Sequence, residues 1–431
     1  MALAEFQWIR QHGKQMDSDL RSSLIRRLSI LRWVPCIMHR AFLPVLQRFQ
    51  RIPVLVQLNE KTITSSTLQK TLQSPHSSES NYYSSILTYR VHLTLHQLRE
   101  TVTCPEVRRI YLDRKVYTLL DVASKATHAP LAWEHDNEGE GATIAIVDTG
   151  IHPHPDLTYP ESRILAFKDF VKNKTKPYDD NGHGTHCAGD AVGNGHSSNN
   201  RYRGTAPAAK LVGVKVLARK GTGNLSDVIA GIQWCIDHRE KYQIRIISLS
   251  LGSRSTTSYQ EDPVSQIVEK AWEKGIVVVA AAGNDGPDSG TISSPGNHPR
   301  IITVGATDDQ GEPDGSKQII ASFSSRGPTL DGITKPDIVA PGTDITSLRV
   351  KRSYIDKMSP ETRVGDHYCT LSGTSMATPI VAGLVAILLT RHPDWTPDKI
   401  KEALTKHSLD IHRPANEQGV GCVRLDSSLV D

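Results

Sequence analysis

Thr143-IAIV-Asp148, followed at once by Thr149-Gly150, is the stretch on which the reading of the fold turns. Three β-branched residues and an alanine run without a polar break into a carboxylate and a glycine. A half-exposed strand alternates apolar and polar positions, whereas an unbroken apolar run means a strand covered on both faces, as in a parallel sheet flanked by helices. Outward from it the same texture recurs in Leu211-VGVKVL, Ile244-RIISLSL, Gly275-IVVVAAA and Ile301-ITVGA. Helix-patterned stretches lie between several of these runs, among them Asp227-VIAGIQWCIDHREKY and Pro263-VSQIVEKAWEKG. The alternation predicts an α/β fold with a mostly parallel sheet over residues 126–431, and places chemistry beyond the carboxyl ends of the strands.

The part before this block reads differently. Arg51-IPVLVQL-Asn59 has the pattern of a strand and Ser65-STLQKTLQ-Ser74 that of a short helix; Ile86-LTYRVHLTL-His96 alternates as a strand does. A helical pattern follows from His96, and Tyr111-LDRKVYTLL-Asp121 reads as a last strand. Residues 51–125 are therefore expected to form a small α+β unit, behind a basic helical leader over residues 1–50. Asp121 to Pro130 is small and polar, and reads as an exposed, cleavable linker.

Composition narrows the function. With 38% hydrophobic and 22% charged residues over 431 positions, the chain is too apolar for a disordered one. An aromatic content of 6% and a net charge of +4 give no reason to expect a nucleic-acid partner. Residues 1–128 hold 18 Lys and Arg against 9 Asp and Glu, and the remainder 32 against 37, opposite signs that favour docking of the two parts. No secretory signal pattern opens the chain, and the apolar stretch Leu28 to Leu46 is interrupted by Arg32, Pro35, His39, Arg40 and Pro44, so no transmembrane segment is expected. Six dispersed cysteines without a CxxC pair read as free thiols in a reducing cytoplasm.

Three segments carry candidate chemistry: Asp148 at the end of its strand, His183 within the glycine-flanked run Asp180-NGHGTH-Cys187, and Ser375 within Leu371-SGTSMATP. Singly, each has a plain structural role as a turn, a solvated loop or a helix cap. Together they supply a hydroxyl nucleophile, a base to take its proton and a carboxylate to orient that base. Ser375 also opens a small-residue helix, whose first N–H groups face developing negative charge.

With VDTGI around Asp148, NGHGTHCAG around His183 and SGTSMATP around Ser375, the chain resembles the subtilases, the subtilisin-like serine proteases. AAGN at Ala281 to Asn284 and SLSLG at Ser248 to Gly252 extend the likeness over roughly residues 130–425. The resemblance implies a serine endopeptidase of broad specificity with Asp148, His183 and Ser375 as triad and Asn284 as oxyanion donor. Gly221, Gly223, Ser250, Leu251 and Gly252 would flank an extended peptide or protein substrate. Ala281, Ala282 and Gly283, with the stretch near Ser293, would line an uncharged pocket for an apolar or aromatic residue before the cut. It further implies a self-processing proenzyme whose leading α+β unit serves as folding aid and inhibitor, cut by Ser375 within Leu119 to Pro130.

No cofactor is needed for this chemistry. Structural calcium is common in the family, and Asp156, Asp169, Asp179, Asp180, Asn194 and Asn199 offer oxygens. They lack a spaced calcium-loop pattern, so no ligands are assigned. Cys187, one helical turn after His183, is expected to lie on the same face. A non-catalytic peptide-binding protein locked by its own N-terminal unit is the alternative. Intact triad positions weigh against it, and His183 separates the chain from serine-carboxyl peptidases, which use a carboxylate base.

Overall fold

The structure is a computed structural model that describes residues 2–16, 18–29, 51–59, 68, 81–83, 87–112, 120–312 and 317–430. Two compact units divide the chain, residues 1–115 and 116–431.

In the first unit, an antiparallel sheet orders the strands Asn81–Tyr83, Thr88–Thr94, Arg51–Leu58 and Val107–Leu112. The central strand pairs Val54 with Val91 on one side and Val56 with Ile110 on the other. Its Ile52, Val54, Val56 and Leu58 are buried, the alternation a one-sided core demands. Helix Leu95–Val102 starts in a capping box: Thr94 accepts the Gln97 N–H while the Gln97 side chain accepts that of Thr94.

Helices Ala2–Gln11 and Ser18–Ser29 place Trp8, Ile9, Leu20, Leu24 and Leu28 in the same core as that sheet, with Met16 from the turn between them. The expected boundary at residue 50 therefore separates nothing: the opening helices complete the α+β unit, because its sheet face needs their apolar stripe. Residues 30–50, with Cys36, and the expected helix Ser65 to Ser74 apart from Leu68, lie outside the described residues.

Two expectations around the junction are corrected. The strand expected over Tyr111 to Asp121 meets the observed Val107–Leu112 only at Tyr111 and Leu112, Leu120 and Asp121 open a helix, and residues 113–119 lie outside the described residues. The segment read as an exposed linker is helical, Leu120–Ala126 and Ala129–Glu134, with Ala123, Ala126, Ala129 and Ala132 buried. Alanines spaced by three make a packing stripe that carries almost no hydropathy signal.

The second unit is built on a sheet of eight strands among the described residues. Thr143–Asp148 lies between Lys210–Lys215 and Ile244–Leu249, both parallel to it. Ile164–Asp169 extends one side; Val277–Ala281, Ile302–Asp308 and Ile338–Pro341 extend the other in parallel, and Ile319–Ile320 closes an edge antiparallel. The chain leaves the central strand in one direction and returns in the other, so a crevice opens where Asp148 ends. Helix Thr374–Arg391, buried at 15 of its 18 residues, packs against the helix His183–Val192 and the strands of this sheet.

Trp272, 2% exposed, anchors helix Pro263–Glu273 in the core and donates its indole N–H to Asp398 at 2.8 Å. Trp272→Ala is expected to cost about 3–5 kcal/mol, read as a lower guanidinium midpoint at unchanged slope.

Candidate active site

Asp148 is wholly buried at the carboxyl end of the central strand. Its Oδ1 accepts the Thr149 N–H at 2.7 Å and lies 2.8 Å from His183 Nδ1. A carboxylate on Nδ1 fixes the imidazole tautomer and leaves Nε2 as the acceptor. Burial opposes the charged imidazolium, but the Asp148 carboxylate and the Cys187 sulfur together outweigh it, and the His183 pKa is raised well above its ordinary 6.5.

His183 sits on the first turn of helix His183–Val192, after Gly182 at φ 106°. Gly184 is what lets that helix meet the strand end, since a Cβ there would fall on the Gly150 carbonyl and lie 3.1 Å from the Asp148 Cβ. Asp179 ties down the helix start. Its carboxylate accepts the N–H groups of Asn181, Gly182 and Thr185 and the hydroxyls of Thr149 and Thr185.

Ser375 stands on the first turn of the helix Thr374–Arg391. Pro379, four residues on, has no N–H to give to the Ser375 carbonyl. That oxygen is satisfied from outside the helix by Ser250 Oγ at 2.7 Å and Cys187 Sγ at 3.4 Å. The Ser375 hydroxyl donates to the Ser250 carbonyl at 3.2 Å rather than to His183, and the two side chains face one cleft of about 620 Å³. Asn284 Oδ1 accepts the Thr374 N–H at 2.9 Å and the Thr374 hydroxyl at 3.0 Å, and Asn284 and Ser375 both line a second pocket of about 220 Å³.

Gly221, Gly223, Ser250, Leu251 and Gly252 all line the larger cleft, and Ala281 and Gly283 the smaller pocket. Ala282 does not: it is wholly buried, its N–H bonded to Val304 and its carbonyl to Ser293. The smaller pocket also takes in Arg254 and Asp285, so its lining is not free of charge as expected. Sequence reasoning missed Asn181, Tyr354 and Ile355, which line the cleft beside His183. Asn181 lay inside a motif already singled out, but its role depends on partners distant in sequence.

The oxygens considered for calcium are engaged within the protein. Asp169 accepts three backbone N–H groups and the Tyr178 hydroxyl, Asp180 pairs with Lys172 and Lys215, and Asp156 accepts the Ser197 N–H and the Tyr368 hydroxyl. Asn194 Oδ1 accepts the His196 N–H. These hydrogen bonds single out no set of calcium ligands. His186 turns away from the site to Asp190 and to the carbonyls of Ile345 and Cys369. Among the described residues the one cluster of metal-ligating type is Asp148, His183 and Cys187.

The model of the subtilase family matches residues 139–421. Serine protease AprX of Bacillus subtilis (strain 168) is 44% identical over 98% of each chain. Subtilisin Savinase of Lederbergia lenta is 35% identical, with 70% of this chain and 95% of that one covered. Among solved structures, a cold adapted subtilisin-like serine proteinase matches at 29% identity and a TM-score of 0.52, over 67% of this chain and 88% of that one.

Cys187 Sγ lies 3.8 Å from His183 Nδ1 in a buried position, where burial pushes the thiol up to about 11. A mercuric ion bonded to that sulfur would crowd the imidazole. Mercuric chloride is expected to abolish peptide hydrolysis slowly in the wild-type chain and to spare Cys187→Ala, as measured by residual activity against time.

Proposed function

The chain belongs to the subtilase family of serine proteases, and on that premise we propose that it is a self-processing, broad-specificity endopeptidase worked by Asp148, His183, Ser375 and Asn284. The single observation that carries this reading is the buried Asp148–His183 contact at 2.8 Å, opening on the cleft that Ser375 shares.

In the proposed cycle the Ser375 hydroxyl turns from the Ser250 carbonyl to His183 Nε2, a tightening common when substrate enters a resting site. Ser375 Oγ bonds to the scissile carbonyl carbon as its proton passes to Nε2. The oxyanion accepts hydrogen bonds from Asn284 Nδ2 and from the Ser375 N–H, which has no intrahelical acceptor in the first turn. Collapse breaks the C–N bond, and Nε2 returns the proton to the departing amine. Water then enters by the same route, giving a proton to Nε2 and its oxygen to the acyl carbon; collapse breaks the bond from that carbon to Ser375 Oγ, and Nε2 returns the proton to Oγ.

The leading unit is assigned the part of inhibitor and folding aid. Its support is the family, the opposite charge of the two parts of the chain and the slow formation expected of a sheet made from distant strands. The helix Leu120–Ala126 falls within the unit of residues 116–431, which favours a processing bond ahead of it, in residues 113–119 outside the described ones, over most of Leu119 to Pro130.

A fluorophosphonate probe followed by mass spectrometry tests the assignment: label on Ser375 and a new N-terminus within 113–119 are expected. Ser375→Ala should give neither; normal processing of that purified variant would refute self-cleavage.

The pH profile is a second test. Catalysis needs neutral His183, and Asp148 stabilises the cation, so the acid limb of kcat/KM should lie above pH 6.5. Asp148→Asn removes the raising charge and leaves the burial, so the limb should move to lower pH while kcat falls.

A further inference from the structure

Residues 349–367 form a strap between the strands Ile345–Leu348 and Tyr368–Leu371 that the catalytic cycle does not use. At its centre is the short helix Tyr354–Met358, capped by Ser353. Asp356, whose side chain is 5% exposed, accepts Arg349 Nε at 2.6 Å, Arg363 Nε at 2.8 Å and the Arg352 N–H at 2.7 Å. Arg349 also donates to the Gly365 carbonyl, and Arg363 to that of Asp356. Two guanidinium groups on one buried carboxylate make a clasp, Arg349 largely buried with Asp356 and Arg363 partly exposed, because charge-assisted bonds fix both arms of the strap to one side chain.

The clasp holds the strap against the loop that carries His183. The N–H of Tyr354 donates to the Asp180 carbonyl and that of Ile355 to the Asn181 carbonyl, both at 3.0 Å. Asn181, buried, then reaches both ways: its Oδ1 accepts the His183 N–H at 3.1 Å and its Nδ2 donates to the Arg219 carbonyl at 2.8 Å. Strap, His183 and the 218–223 loop are thus joined through one residue, Asn181, by its carbonyl and its side chain. Tyr354 and Ile355 are half-buried and line the larger cleft together with His183, Leu217 and Gly221. They take no part in the smaller pocket, which holds Asn284.

We propose that Ile355, with Tyr354 beside it, is a specificity-determining wall that selects a bulky apolar side chain at the substrate residue second before the scissile bond. The placement rests on the proposed peptide-cleaving site and on strand geometry. Side chains of an extended peptide alternate between faces. When the residue before the cut occupies the smaller pocket beside Asn284, the preceding one turns to the other face. The larger cleft adjoins the smaller pocket at Leu251, Gly252, Ser253 and Ser375 and adds His183, Leu217, Tyr354 and Ile355, so in the proposed pose that side chain enters it against Ile355. An apolar wall held by an internal ion cluster costs little ordering on binding, so apolar contact there converts into selectivity.

The test is a set of quenched peptides identical except for Leu, Val or Ala at that position, with the cut site checked by mass spectrometry. Wild type should favour Leu over Ala by roughly 5- to 30-fold in kcat/KM, the effect of one apolar side chain gaining burial. Ile355→Ala should bring the ratio toward unity and Ile355→Leu should keep it. Asp356→Asn, which loosens the clasp, should lower the ratio with a rise in KM. A wild-type ratio near unity, an unchanged ratio in Ile355→Ala, or a change confined to substrate positions after the cut would each overturn the proposal. Fluorophosphonate labelling of Ser375 separates the two levels: a labelled enzyme without the preference sinks the wall alone, and an unlabelled one sinks the triad.

Discussion

A carboxylate held in the dark end of a strand is the constraint on which the rest depends. Asp148 has no exposure to water, and an ionised group there persists only with donors supplied by the protein. They are the Thr149 N–H and the His183 imidazole. The requirement propagates outward. His183 reaches Asp148 only because Gly184 lets the helix close on the Gly150 backbone, and the helix stays in place because Asp179 absorbs its first N–H groups. A second buried carboxylate thus supports the geometry of the first. Asp179 is paired on both oxygens, whereas Asp148 is paired on Oδ1 alone and its buried Oδ2 has no hydrogen-bond partner, so the Thr149 N–H and His183 carry the whole task of holding that charge.

The nucleophile is held by a different logic. Helix Thr374–Arg391 is apolar around its whole circumference, long enough by length and composition to cross a membrane, and it is buried among the strands of the sheet. Such a helix has few polar features by which to register itself, so its first turn is fixed by contacts beyond its own ladder. Pro379 frees the Ser375 carbonyl, which Ser250 and Cys187 take up; Asn284 takes up the Thr374 N–H. A residue forbidden in most helix interiors serves here to bind the reactive turn to its neighbours.

Much of this was legible in the sequence, for identifiable reasons. Continuous β-branched runs marked the strands Thr143–Asp148, Ile244–Leu249 and Val277–Ala281, since burial on both faces leaves no other pattern. The glycine-rich segments around His183 and Ser375 marked where side chains must leave room. What failed to show was packing by small residues and pairing at a distance. Ala123, Ala126, Ala129 and Ala132 hid two helices inside a segment that looked like a linker. Leu20, Leu24 and Leu28 carry a helical stripe in plain view, yet only the sheet of the same unit reveals what the stripe covers. Ala282 belongs to a pocket motif by position, but its N–H and carbonyl are spent within the fold.

The strap shows why such omissions gather around substrate selection. Arg349 and Arg363 each lie seven residues from Asp356, a spacing with no periodic meaning, and their convergence exists only once the segment folds back on itself. Asn181 behaves likewise: its neighbours in sequence announce a loop, while its four bonds reach Asp179, His183, Arg219 and Ile355. Chemistry needs particular residue types in particular order, which leaves a motif. The shape of the cleft needs only that some wall be rigid, and many sequences can build one. A wall fastened to the His183 loop is nevertheless not independent of the chemistry, because any shift in it is delivered through Asn181 to the backbone that carries the imidazole.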